Sequence, residues 1–454
     1  MISSITYRGA LVKEPSVQGE RKCDSVVPTH PAIAQASRKR WIIFFSTLDL
    51  RGWDGVKSIV YQLRSNTPDG PVIREGLIVS SEDNWELPGV NGLFSKRCGT
   101  PVVFGVPKGA VANGRLLENN NLFVLKWYRS AFLKRDDGVV LSPWHAGHWK
   151  KEDASLREAA IKTIRLEWLQ FRLNENEDDI EIVHGPELVC QKGYGGDEVF
   201  SSLGAGYTMI HALTPPAPED GSLTHWIEYD TFEKVSLNHP YPPHGRVAPV
   251  RYVFNREKRL YEWIDTGNLI QLENRVIGEA SIIKNDHGWI IACRDFSTDG
   301  VTCWIKTGHP FESGAHDVYF SPQGEGPRQG PRHAYLCADG TLRLFGNESA
   351  LRVPSRNPLF SWDVNERDFS LANRRTVLDA QAEGLPFSKP YVDFCKLSPI
   401  RDNRQYLIFR CINSQTVRGA SEAVMPSGQE LAASGIHYAE IKYEGDFPDT
   451  WSFN

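Results

Sequence analysis

The chain has 454 residues, 41% hydrophobic and 24% charged, with a formal net charge of −5 at pH 7. That length exceeds one ordinary compact core and predicts either two or three domains or one large repetitive architecture. The acidic balance, with no basic cluster above background, argues against a nucleic-acid partner, and no run of about eighteen apolar residues is present to span a bilayer as a helix.

The first residues, MISSITYRGALVKEPSV, lack the long apolar segment of a secretory leader. A soluble, cytoplasmic protein is expected from the sequence as given, and a trimmed leader is compatible with it. The eight cysteines (23, 98, 190, 293, 303, 337, 395 and 411) form no C-x-x-C pair and no dense framework. Cys293, Cys395 and Cys411 sit in apolar runs, where a free thiol packs as a small hydrophobe, so reduced, buried cysteines are expected.

The 38 Gly, 28 Pro and 13 Trp predict many short strands joined by turns. Ile5 to Lys13 reads as an isolated outer strand. A first full unit runs from Thr29–Ala34 through Trp41–Thr47 to Ser58–Arg64, ending at the turn Thr67-Pro-Asp-Gly70. Pro101–Val106 pairs naturally with Leu122–Trp127. An insertion at about residues 130–165 follows, carrying one helix from Glu152 to Arg165 with Asp153 as its N-cap. Arg165–Arg172 with Ile180–Val183, and Val247–Phe254 with Leu260–Ile264, read as hairpins.

From Val276 to Trp304 the signal is strongest: Glu279–Lys284, the turn Asn285-Asp-His-Gly288, then the β-branched and aromatic run Trp289–Cys293. Strand, turn, strand recurs over His333–Cys337, Ala338–Thr341 and Leu342–Phe345, followed by Leu359–Asp363. It recurs again over Val392–Leu397 and Gln405–Arg410. The C-terminal Gly435–Tyr443 alternates well enough to be a further strand, and with the N-terminal strand it is a candidate to close one sheet from both chain ends. About six units of roughly 45 to 75 residues favour a propeller over a sandwich. The expectation is an all-β fold, a single β-propeller domain over residues 1–454, most readily six-bladed, with five or seven blades also compatible.

Several motifs, and their order along the chain, resemble those of the sialidase superfamily. Ser297-Thr-Asp-Gly-Val-Thr-Cys-Trp304 is close to the S-x-D-x-G-x-T-W "Asp box", one residue short between Asp299 and Gly300. Thr47-Leu-Asp-Leu-Arg51-Gly-Trp-Asp54-Gly-Val-Lys-Ser-Ile-Val-Tyr61 looks like the segment carrying that family's acid/base aspartate. Glu279 matches its glutamate, Arg294 and Arg356 two of its carboxylate-binding arginines, and Tyr391 its nucleophilic tyrosine, without the usual flanking glycine and serine. Where the family has its first arginine, in an R-I-P-A-like motif, this chain has Thr29-His30-Pro31-Ala32. A histidine cannot supply a bidentate fork to a carboxylate, so ordinary sialic acid fits poorly.

The resemblance implies catalytic Asp54, Glu279 and Tyr391, substrate contacts from Arg51, Arg294, Arg356 and Asp393, and a terminal acidic or polar sugar of an oligosaccharide or polysaccharide as substrate. It implies no cofactor, metal, nucleic acid or membrane, and leaves the oligomeric state open. A second chemistry is eliminative cleavage beside a uronic acid, with His30 or Tyr391 as base. A third reading is a carbohydrate-binding propeller without turnover. Each residue also has a bland role: Asp54-Gly55 as a turn, Glu279 with Arg294 as a structural ion pair, His30 as a strand-start residue. His145-x-x-His148 reads more simply as a loop than as a metal clip, and the Gly193–Gly196 and Gly204–Gly206 runs lack the context of a phosphate loop.

Overall fold

The computed structural model describes residues 1–13, 26–49, 55–105, 111–112, 115–116, 122–136, 139–143, 149–161, 163, 165–188, 217–219, 222–231, 244–255, 257–258, 260–266, 270, 272–273, 275, 277–295, 301–309, 311, 316–321, 326–327, 329–348, 355–413 and 427–449. The chain folds as an all-β propeller. Sheet I runs in order through the strands Val26–Ser37, Arg40–Asp49, Gly55–Ser65 and Val72–Val79. Sheet II has six strands: Glu82–Trp85, Phe94–Gly105, Phe123–Lys134, Arg165–Leu173 and Ile180–Leu188 lie side by side, and Val140–Leu141 pairs with the middle one.

Sheet III comprises Ala217–Glu219, Ser222–Thr231, His244–Asn255 and Leu260–Thr266. Sheet IV comprises Ile277–Asn285, Gly288–Asp295, Thr302–Thr307 and Asp317–Phe320. Sheet V comprises Gln329–Leu336, Leu342–Asn347, Leu359–Val364 and Leu371–Leu378. Sheet VI runs through Pro390–Leu397, Arg404–Asn413 and Gly435–Tyr443 and is completed by the N-terminal strand Ile2–Val12, so both chain ends share one sheet as expected. Five of the sheets, I and III to VI, are four-stranded blades.

Separate apolar cores lie between neighbouring sheets. Ile42, Phe44 and Tyr61 of sheet I meet Val103, Trp127 and Phe171 of sheet II, and Trp41 and Ile43 meet Ile408 and Ile436 of sheet VI. Ile290 and Trp304 of sheet IV meet Leu344 and Val364 of sheet V, and Phe345 and Leu359 meet Leu407 and Phe409 of sheet VI. Trp41, Trp127 and Trp304 are fully buried in these cores, and Trp289 in a further one that joins Val247 of sheet III to sheet IV. All six described cysteines are free and buried.

The outer strands Val72–Val79 and Leu371–Leu378 had no sequence signal because most of their residues are exposed or half-buried and neither strand alternates regularly between apolar and polar residues. The helix is shorter than its pattern suggested: a 3₁₀ turn at Lys151–Asp153 leads into Ala154–Ile161, and Arg165 already begins a strand. A second short helix, Gly428–Ala433, starts from a capping box of Ser427 and Glu430, an S-x-x-E signal the sequence does contain. No helix among the described residues is long and apolar enough to cross a membrane.

The closing seam has its own pH dependence. A Cβ at Gly435 would stand 2.2 Å from the Val12 carbonyl oxygen, so only glycine lets the N-terminal strand approach there. His437, 1% exposed, donates from Nε2 to the Ala433 carbonyl at 2.9 Å and accepts at Nδ1 from the Tyr7 hydroxyl at 2.7 Å. Burial pushes its pKa down to about 4 from 6.5. The unfolded chain therefore takes up this proton near pH 6.5 and the folded chain only near pH 4, so His437 makes stability fall on acidification through that window. The loss amounts to about 3 kcal/mol at the acid end. Thermal midpoints measured across the window should drop less in His437→Gln than in the wild type.

Candidate functional site

Strands of five sheets, the first of sheets I, IV, V and VI and the second of sheet II, share one irregularity. Each contains a residue at positive φ where the pairing register slips: His30 (φ 45), Thr100 (φ 50), Glu279 (φ 49), Gly330 (φ 74) and Phe394 (φ 54). An L-residue in this region costs about 1 kcal/mol or more, and the bulge re-aims the neighbouring side chains relative to a regular strand. Three of the five, His30, Thr100 and Gly330, are followed by proline, which has no N–H to lose from the ladder. The recurrence places Glu279 on the bulge itself and Asp393 beside one.

In sheet IV, Gly278 pairs with Arg294 across the first hairpin, so Glu279 and Arg294 stand at corresponding strand ends. Arg294 Nη1 donates to Glu279 Oε2 at 3.0 Å, and their side chains are 12% and 13% exposed. In sheet VI, Asp393 pairs directly with Arg410. Arg410 grips it with two hydrogen bonds, Nε to Oδ1 at 2.7 Å and Nη2 to Oδ2 at 2.8 Å, and both side chains are 2% exposed.

Arg356 comes from the segment leading into the third strand of sheet V and donates from Nη1 to the same Asp393 Oδ2. Its backbone is fixed to the strand carrying Tyr391: Arg356 N–H donates to the Pro390 carbonyl at 2.9 Å, and Val392 N–H donates to the Arg356 carbonyl at 3.0 Å. A Cβ at Gly330 would lie 3.3 Å from the Arg356 side chain, so the glycine leaves the room this guanidinium needs. The Arg356 guanidinium lies 4.2 Å from the Tyr391 ring centre and that of Arg410 lies 5.1 Å from it. Burial disfavours the Arg356 charge, yet the fields of Tyr391, Asp393 and Glu279 and the hydrogen bond to Asp393 outweigh it and raise its pKa.

His30 is 3% exposed, with its ring edge-on to Phe394 at 4.1 Å between centres. Its Nε2 is 3.2 Å from Arg410 Nη1. A guanidinium only donates, so Nε2 accepts and the neutral ring carries its proton on Nδ1. Arg410 Nη1 also donates to Thr29 Oγ1 at 3.4 Å. A guanidinium thus reaches the Thr29-His30 position from sheet VI, where the resemblance leads one to expect an arginine from sheet I.

Of the eight expected site residues, the structure brings Glu279 and Arg294 together in one pair. It brings His30, Arg356, Tyr391 and Asp393 together in one contact network, and Arg356 lies within the field of Glu279. Asp54 and Arg51 lie outside the described residues, as do His145, His148, both glycine runs and the first half of the Asp-box stretch, residues 297–300.

Three cations were missed along with Arg410. Arg332, 1% exposed, donates from Nη1 to the Gly330 carbonyl at 2.5 Å. Burial, reinforced by Arg294 and Arg356 and opposed by Glu279 and Asp295, pushes its pKa down to about 9. Lys396 is pushed down to about 7 by burial, and Lys126 is lowered by burial and by Lys396. Among the described residues Arg294, Arg356 and Arg410 thus pair with Glu279 and Asp393, and Arg332 lies within the fields of Glu279 and Asp295, four guanidiniums against three carboxylates. This excess of positive charge suits an anionic ligand.

Among the described residues no group of three or more His, Cys, Asp or Glu is arranged to hold a metal ion. A surface groove of about 820 Å³, lined by Lys284, His287, Lys306 and Glu366 among others, lies at the turn end of sheet IV, at the opposite end of the first hairpin from Glu279 and Arg294.

No family profile and no curated protein matches the chain. Among solved structures it is similar to a protein of unknown function from Dyadobacter fermentans (TM-score 0.55, 11% identity, covering 98% of this chain and 100% of that one). Trypanosoma rangeli sialidase also aligns (TM-score 0.47, 8% identity, 97% of this chain and 59% of that one), so this chain spans about three fifths of that protein's length. A neuraminidase-like protein of A/little yellow-shouldered bat/Guatemala aligns at TM-score 0.37 and 6% identity over 97% of this chain and 99% of that one. These identities speak to the fold alone, and the first of the three carries that likeness.

Proposed function

We propose that the chain is a sialidase-like exo-glycosidase that hydrolyses a terminal acidic or polar sugar from a glycan, on a propeller in which the six-stranded sheet II serves as the sixth blade. The observation that carries this reading is the meeting of sheets IV, V and VI at Glu279, Arg356 and Tyr391, with Arg294 paired to the glutamate. Arg294 and Arg356 hold the sugar's carboxylate. Asp54 protonates the departing glycosidic oxygen, while Glu279 accepts the phenolic proton of Tyr391 as its oxygen attacks the anomeric carbon. Water then releases the sugar from tyrosine, with Asp54 as base. Asp393, with both oxygens occupied by arginines, holds Arg356 in place and contacts the sugar only through it.

The geometry disfavours elimination with His30 as base, because His30 is buried and its Nε2 already accepts from Arg410, leaving that nitrogen no lone pair for a substrate proton; an eliminative reading would have to use Tyr391. Turnover on a panel of glycosides with acidic terminal sugars tests the reading. Glu279→Gln and Arg294→Met should each lower kcat/KM by about 100-fold or more. An unsaturated, ultraviolet-absorbing product would instead select the lyase. Sugar binding without turnover in the wild type would select the binding module.

A further inference from the structure

Tyr391 lies beside two cations that share a single carboxylate. Arg356 stands 4.2 Å and Arg410 5.1 Å from its ring centre, and Asp393 accepts from both. Arg410 cannot touch a sugar: it is 2% exposed, and its remaining contacts are Thr29, His30 and the Phe394 ring at 4.7 Å. On one side Tyr391 packs against the apolar Val27, Leu48, Val56, Phe132 and Ile412, with Tyr128 in the same cluster, while Glu279 of sheet IV acts on the same Arg356. In such a low-dielectric setting a charge near a phenol acts strongly on its ionisation.

We propose that Arg410 and Asp393 are positioning residues that set the ionisation of Tyr391, with Arg410 reaching the Thr29-His30 position from sheet VI but not the sugar. Arg410 adds to Arg356 in favouring phenolate over phenol, and Asp393 restrains both. The inference takes the proposed role of Tyr391 as its ground, but its test reads the tyrosine alone and needs no substrate.

The ultraviolet tyrosinate band is titrated in the full chain and in Tyr391→Phe, and the difference isolates this one of the 15 tyrosines. Arg410→Met should make Tyr391 about tenfold harder to ionise. Asp393→Asn should move the titration the opposite way, since two guanidiniums then act on the ring with no carboxylate between them. Arg410→Lys, which keeps the charge, should fall between wild type and Arg410→Met. A merely structural role predicts no such reversal of sign. A titration in Arg410→Met that superimposes on wild type, in a variant whose circular dichroism reports an intact fold, overturns the proposal. Should Asp393→Asn fail to fold, the two Arg410 variants still decide it. A shift obtained without any glycosidase activity would uphold this inference and sink the functional reading.

Discussion

Replacing Asp393 with alanine is expected to destabilise the fold by about 3–5 kcal/mol, among the largest single losses in the chain. The carboxylate is 2% exposed and accepts from Arg410 at 2.7 and 2.8 Å and from Arg356 as well. Its removal leaves the Arg410 charge buried with only the neutral acceptors Thr29 Oγ1 and His30 Nε2. Arg356 loses an anchor at the same time. Burying an ion pair contributes little on balance, but breaking one from a single side is costly, because the surviving charge keeps its desolvation penalty. Urea unfolding of wild type and Asp393→Ala measures the difference. A loss below about 1 kcal/mol would mean that the arginines find other partners or that the site is hydrated.

How much of this was legible in the sequence depended on register. The strand runs of sheets I, IV, V and VI follow from apolar and β-branched composition bounded by turns, and Glu279 with Arg294 follows from the hairpin around Asn285–Gly288. Arg410 did not follow. At the end of Gln405-Tyr-Leu-Ile-Phe it reads as the polar terminus of an apolar strand. The regular part of this hairpin pairs Leu397 with Leu407, and continued without interruption it would set Asp393 opposite Cys411. The bulge at Phe394 shifts the pairing by one and delivers Asp393 to Arg410 instead.

A single-residue slip leaves no trace in hydrophobic alternation, because every residue around it is buried. The same holds for Arg332, Lys126 and Lys396, whose charges sit in inner or second strands that otherwise read as core. The available signal was the proline after His30, Thr100 and Gly330, a shared offset that only becomes a pattern once the sheets are superimposed.

The fate of a ligand's negative charge is the second large effect. Arg356 is held at Tyr391 by two backbone hydrogen bonds, by Asp393 and by the space at Gly330, and Arg294 stands paired with Glu279. A preorganised cation facing a carboxylate in such a site contributes more than one in water, because its orientation has already been fixed by the fold. Arg356→Met should therefore weaken recognition of an acidic sugar by about 100-fold or more while leaving neutral sugars unaffected.

The most direct measurement is calorimetric binding of terminal sugars in matched pairs, each carboxylate against its amide, to wild type and to Arg356→Met. The account predicts that the acid of a recognised pair binds the wild type well above its amide, and that the preference disappears in the variant. Equal binding of acid and amide to the wild type, or an undiminished preference for the acid in Arg356→Met, would contradict it.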